Sequence, residues 1–120
     1  MATALLFVYG TLKTGYPNNH FLQDQRFLGP ARTAPLYRLF VNDWYPCLVP
    51  DTCQGQRIAG EVWQVDEETL RRLDDYEGVP TWFTRQPVRL EGHAELIWAY
   101  FYQGEVTTLR ECANGVWPPE

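Results

Sequence analysis

The sequence predicts an α+β fold, a small mixed β-barrel of about six strands carrying one main helix. Three observations lead there. Residues 4–9, Ala-Leu-Leu-Phe-Val-Tyr, form a nearly continuous apolar run, as a central strand covered on both faces requires. Further strand-like segments follow at short spacing between clusters of turn formers, while a single stretch, residues 66–78, carries the marks of a full helix. A sheet so dominant, with so little helix to cover it, most simply closes on itself with the helix packed over an end or a gap.

Taken in order, the first strand stops at Gly10. Residues 10–20 are dense in turn formers and too long for a hairpin connection, which makes them either a functional or a flexible loop. Phe21 and Leu22 open a short helical turn. Residues 26–34 read as a strand ending before Pro35, and residues 36–41 as the next, turned by Asn42 and Asp43. Residues 45–50 are extended and bounded by prolines, an edge or lining segment. After a polar turn, residues 57–65 alternate, with Ile58, Gly60, Val62 and Gln64 on one face and Ala59, Glu61, Trp63 and Val65 on the other. Beyond the helix, Val79 and Pro80 turn the chain. Residues 82–90 and 94–102 are expected to pair antiparallel across a hairpin-length turn. Residues 106–109 form a short candidate strand, and Trp117 in the last stretch is expected to pack by its indole.

The helix is the best-marked element. Asp66 is a suitable N-cap, Glu67 and Glu68 lie at the positive end of the dipole, and Gly78 supplies a left-handed exit. Leu70, Leu73 and Glu77 recur at i, i+3 and i+7, so the periodicity that buries the leucines turns Glu77 the same way. A carboxyl that is both desolvated and at the negative end of a helix has a raised pKa, and makes a usable proton acceptor near neutral pH. The competing arrangement is a frayed last turn with Glu77 swung into solvent.

A chain of 120 residues suits one domain with its own core. Three cysteines without a signal peptide predict reduced thiols and a cytoplasmic setting, with Cys47, Cys53 and Cys112 inert. Ten basic against fifteen acidic residues, a net charge of −5, exclude the electrostatic footprint of a nucleic-acid or anionic-membrane partner. Five tryptophans and seven tyrosines fit rings lining a pocket, in a chain that either pairs with a second copy or only packs internally.

Few constellations carry chemistry. Gly10 and Gly15 have the separation of a phosphate-binding loop, but Tyr16 and Pro17 stand where lysine and a hydroxyl residue belong. What remains is a glycine at the end of a buried strand, where successive backbone N–H groups can converge on an anion or oxyanion, or merely a tight strand exit. His20 and His93 lie far apart with no ligand spacing, so no metal is expected. Cys47 has no histidine near it in sequence, and no serine elbow occurs. Glu77 is left as the protic group with unusual placement.

Tyr9-Gly10-Thr11-Leu12, then Gly15 and Asn18, Gly60-Glu61-Val62, Val65-Asp66, Leu73-Asp74-Asp75-Tyr76-Glu77-Gly78 and Arg85 together resemble the γ-glutamyl cyclotransferase-like family over nearly the whole chain. Residues 59–85 look most similar to the γ-glutamylamine cyclotransferases. The resemblance implies a barrel-like α/β fold with a pocket at its mouth, no cofactor, and a small-molecule γ-glutamyl substrate. It implies Glu77 as the catalytic acid/base, with Tyr9, Gly10, Thr11 and Leu12 holding the glutamyl group. One departure stands out: Phe83 occupies the place, six residues after the glutamate, where active members carry a tyrosine.

In the implied reaction the substrate's own α-amine attacks its γ-carbonyl, releasing 5-oxoproline and a free amine. No serine, cysteine or metal nucleophile is needed. The protein supplies proton removal, a folded substrate, oxyanion stabilisation and proton return. The loop N–H groups would hold either the α-carboxylate or the oxyanion. The alternatives are a non-catalytic γ-glutamyl binding module of the same fold, and an interaction domain with no pocket between residues 9–12 and Glu77.

Overall fold

A computed structural model describes residues 2–119, so the last residue of the C-terminal stretch lies outside it. The apolar first run forms β1 (Thr3–Val8), the middle strand of a five-stranded sheet. A 3₁₀-helix (Pro17–Leu22) follows within the glycine-bearing loop. Then come β2 (Arg26–Arg32), β3 (Tyr37–Asn42), β4 (Tyr45–Pro50), β5 (Ala59–Asp66), α1 (Glu67–Glu77), β6 (Phe83–Pro87), β7 (Ile97–Tyr102) and β8 (Arg110–Glu111).

The large sheet has the order β2-β5-β1-β7-β6 and the smaller one β4-β3-β8. β1 runs antiparallel to β5, with Phe7 opposite Val62, and parallel to β7, with Leu6 opposite Trp98. β6 and β7 pair antiparallel as expected, and β4 is an edge strand of the small sheet.

The α+β class with one main helix stands, but the expected closed barrel does not form. The described residues make eight strands in two sheets. The reason lies in how the two faces of the large sheet are covered. Phe7, Ile58 and Val62 pack with Leu39, Val41 and Leu48 of the small sheet. Leu6, Val8, Trp63 and Val65 pack with Leu22 and with Leu73 of α1. With one layer on each face, both sides of the central strands β1, β5 and β7 are largely desolvated without closure. An isolated bridge joins Thr33, just past β2, to Leu90, just past β6, linking the chain beyond the two edges of the large sheet, and a second joins Tyr37 to Gln56. The last strand also shifts: residues 106–109 are a turn, closed by the Leu109 N–H on the Val106 carbonyl, and β8 follows them.

The helix obeys its sequence marks. The Asp66 carboxylate accepts from the Thr69 N–H at 2.8 Å. Gly78 has φ 69°, a conformation that costs a side chain but not glycine. It lets the N–H groups of Gly78 and Val79 turn back onto the carbonyls of Asp75 and Asp74, a Schellman closure. The last turn is therefore pinned rather than frayed, with Leu73 and Glu77 buried on the core-facing side.

Candidate active site

A narrow cleft opens where β1 ends, lined by Tyr9, Gly10, Thr11, Leu12, Tyr45, Pro46, Glu77 and Tyr100 among others. All five residues singled out in the sequence, Glu77 and the run Tyr9 to Leu12, thus line one space. Four elements converge there: the exit of β1, the C-terminal turn of α1, the start of β4, and β7 through Tyr100.

The loop's shape is set by its carbonyls. The Gly10 carbonyl accepts from the Lys13 N–H, that of Thr11 from the Asn18 N–H, and that of Leu12 from Asn19 Nδ2. Thr11 Oγ1 accepts from Asn18 Nδ2 at 2.9 Å, which leaves the hydroxyl proton to be donated elsewhere. Glu61 fixes the outer arm, accepting from the Thr14 N–H and hydroxyl and from Trp63 Nε1 on a single oxygen. Gly10 lies so close to Pro46 that a Cβ there would overlap the proline ring, so the loop and the β3–β4 hairpin touch directly.

Glu77 is 7% exposed. Burial pushes its carboxyl from the ordinary 4.5 to about 7, against the opposing effect of a hydrogen bond from Tyr45. That bond, Tyr45 Oη to Glu77 Oε2 at 2.8 Å, favours the charged form. The group thus divides between acid and base near neutrality, where proton transfer in both directions is most effective. Burial, followed by the neighbouring carboxylate, holds the Tyr45 phenol well above its usual range, so it is a neutral donor. The Cys47 thiol, pushed up to about 12 mainly by burial, stays protonated at neutral pH.

Behind Glu77 a second network braces the helix. Arg85 makes a two-pronged pair with Asp74, Nε to Oδ1 at 2.8 Å and Nη2 to Oδ2 at 3.1 Å. Tyr100 donates to the same Asp74 Oδ1 at 2.7 Å, and Tyr9 donates to the Tyr100 carbonyl at 2.7 Å. Phe83 is buried, its ring 5.6 Å from those of both Tyr45 and Tyr102.

Tyr45 and Tyr100 escaped the reading of the sequence as site residues. A partial signal existed for Tyr100, since alternation on β7 puts it with Trp98 and Tyr102 on the face toward the helix. For Tyr45 the signal went no further than the lining character of residues 45–50, because its contact with Glu77 spans 32 positions.

The family profile described as "Gamma-glutamyl cyclotransferase, AIG2-like" matches residues 6–119. The chain is 41% identical over 99 residues to a Vibrio cholerae protein provisionally named a γ-glutamylcyclotransferase, covering 82% of each. It is 43% identical over 98 residues to the γ-glutamylaminecyclotransferase of Bos taurus, covering 74% of this chain but 58% of that longer enzyme. An AIG2-like protein from Mus musculus has a similar solved structure, with TM-score 0.79 and 29% identity over 92% of this chain and 86% of that one.

Proposed function

The chain belongs to the γ-glutamyl cyclotransferase, AIG2-like family of cyclotransferase enzymes, and from that premise we propose that it converts γ-glutamyl amines to 5-oxoproline and a free amine, with Glu77 as proton shuttle. The observation that carries this reading is a buried carboxyl, held near neutrality, in the same cleft as the loop that ends β1. The amine side of the substrate is drawn from the named bovine relative; the proton chemistry is drawn from the cleft.

In the proposed sequence, ionised Glu77 takes a proton from the substrate's α-ammonium. The freed nitrogen attacks the γ-carbonyl carbon, forming a C–N bond that closes a five-membered ring. The carbonyl electrons move onto oxygen, and in this reading the N–H groups of Gly10, Thr11 and Leu12 bear either this oxyanion or the α-carboxylate. Collapse of the intermediate breaks the bond to the leaving nitrogen. Of the three protons on the α-ammonium, one remains on the lactam nitrogen and two reach the leaving amine through Glu77. The nucleophile arrives tethered to its electrophile, so the cleft's contribution is folding the substrate and moving protons. Tyr45 keeps the carboxylate aimed into the cleft between the two transfers.

The test is release of 5-oxoproline from γ-glutamyl-lysine-type and γ-glutamyl-amino-acid substrates, with Glu77→Gln as control. Loss of the acid/base group should lower kcat by roughly 10²–10⁴-fold. Absence of product from every substrate, or equal turnover by the variant, would sink the proposal. Calorimetric binding of glutamate or 5-oxoproline without turnover would instead favour the binding module.

A further inference from the structure

We propose that Trp117 is a positioning residue for the cleft, an indole clamp that ties the hairpin bearing Tyr45 to the loop bearing Gly10, Thr11 and Leu12, and so keeps Tyr45 against Glu77. Its effect on turnover rests on the function proposed above; its effect on Glu77 does not.

Trp117 lies in a stretch without regular secondary structure, where side chains are ordinarily exposed, yet it is 3% exposed. Its indole N–H and its carbonyl reach two different walls. The indole N–H donates to the Trp44 carbonyl at 2.9 Å, one residue before Tyr45. The Trp117 carbonyl accepts from Lys13 Nζ at 2.7 Å, one residue after Leu12. Rings fill the space between: Trp117 meets Tyr16 edge-on at 5.2 Å and Trp44 at 6.0 Å, and the Lys13 ammonium sits 5.3 Å from the centre of the Tyr16 ring. Neither Lys13 nor Trp117 has a part in the proton chemistry.

The clamp matters because the Tyr45 hydroxyl is carried near a hairpin turn, and a displacement of about 1 Å there would stretch its bond to Glu77 beyond hydrogen-bonding range. The groups that face Glu77 are Tyr45 and Cys47 from β4, Tyr9 from the end of β1 and Tyr100 from β7. On its own helix, Tyr76 is next to it in the chain and Asp74 is neutralised by Arg85 of β6. Among the described residues, Tyr45 is the one that donates a hydrogen bond to the carboxylate. Freeing Tyr45 therefore removes a bond that favours the charged form, and no neighbour replaces it.

The experiment titrates Glu77 directly, by carboxyl NMR on protein labelled with ¹³C-glutamate, without substrate. Trp117→Phe keeps a large ring and deletes the indole N–H. The expected result is an upward move of the Glu77 midpoint, reaching up to about one unit if the Tyr45 bond is fully lost. Trp117→Phe added to Tyr45→Phe should then give no further shift. An unmoved midpoint, or additive shifts in the double variant, overturns the clamp. Should Trp117→Phe fail to fold, Lys13→Met releases the other end and is read in the same cycle, with additivity again the overturning result. The acid limb of the kcat/KM profile should move with the midpoint. If the unaltered protein shows no turnover, the proposed function falls while the NMR cycle still decides the clamp.

Discussion

Glu77→Gln tests the electrostatics of the cleft through stability. The folded protein holds this carboxyl at about 7 against an ordinary 4.5, a rise of 2.5 units (7 − 4.5) that at about 1.36 kcal/mol per unit amounts to about 3 kcal/mol. The sign follows from which state binds the proton. Below about pH 4.5 the carboxyl is neutral in both states and costs nothing. As pH rises, the unfolded chain ionises first while the folded protein keeps its proton, so stability falls until the folded carboxyl also ionises, and the deficit is then constant. A neutral glutamine of nearly the same shape removes this dependence and can still accept from Tyr45. Glu77→Gln should therefore match the parent near pH 4 and exceed it by about 3 kcal/mol near pH 8, while losing turnover. Urea unfolding of both proteins across that range gives the difference, in which groups common to both cancel. A difference flat with pH, or a variant less stable near pH 8, would refute the desolvated carboxyl.

Tyr45→Phe removes the bond that favours ionised Glu77; with a shift of about one unit, the ionised fraction at pH 7 should drop from about half to about a tenth, read as an upward-moved acid limb of kcat/KM. Gly10→Ala drives a methyl into the Pro46 ring and should destabilise by about 1–3 kcal/mol, with KM raised because the donor loop is displaced; unchanged stability and KM would contradict the close approach. Arg85→Met strips Asp74 of its two-pronged partner, leaving a partly buried carboxylate held by Tyr100 alone; unfolding assays should show a loss of about 1–3 kcal/mol.

Local chemistry made much of this fold legible. The Asp66 cap, the Gly78 exit and the inward leucine stripe are decided within a few residues, so the helix stands where its marks put it. The same stripe pointed Glu77 inward, and the Schellman closure is what prevents the alternative of a frayed end. The apolar run of β1 foretold a strand with both faces covered. Whether that coverage came from closure or from separate layers was not legible, because it depends on how β3, β4 and β8 pair, and those pairings join residues as far apart as Phe40 and Glu111. The strand expected at residues 106–109 missed for a related reason: two residues of β8 are selected by the edge of β3, not by their own pattern.

The sequence alone determined the class of fold, the helix with its buried acid, and the glycine loop after the first strand, since each follows from periodicity, capping or turn chemistry between near neighbours. Tertiary structure decided that the acid and the loop share a cleft, that Tyr45 supplies the hydroxyl on Glu77 while Phe83 lies packed beside it, and that Trp117 joins the two walls. Those relations depend on burial and on hydrogen bonds between residues distant along the chain, and such distances are set only when the two sheets and the helix pack together.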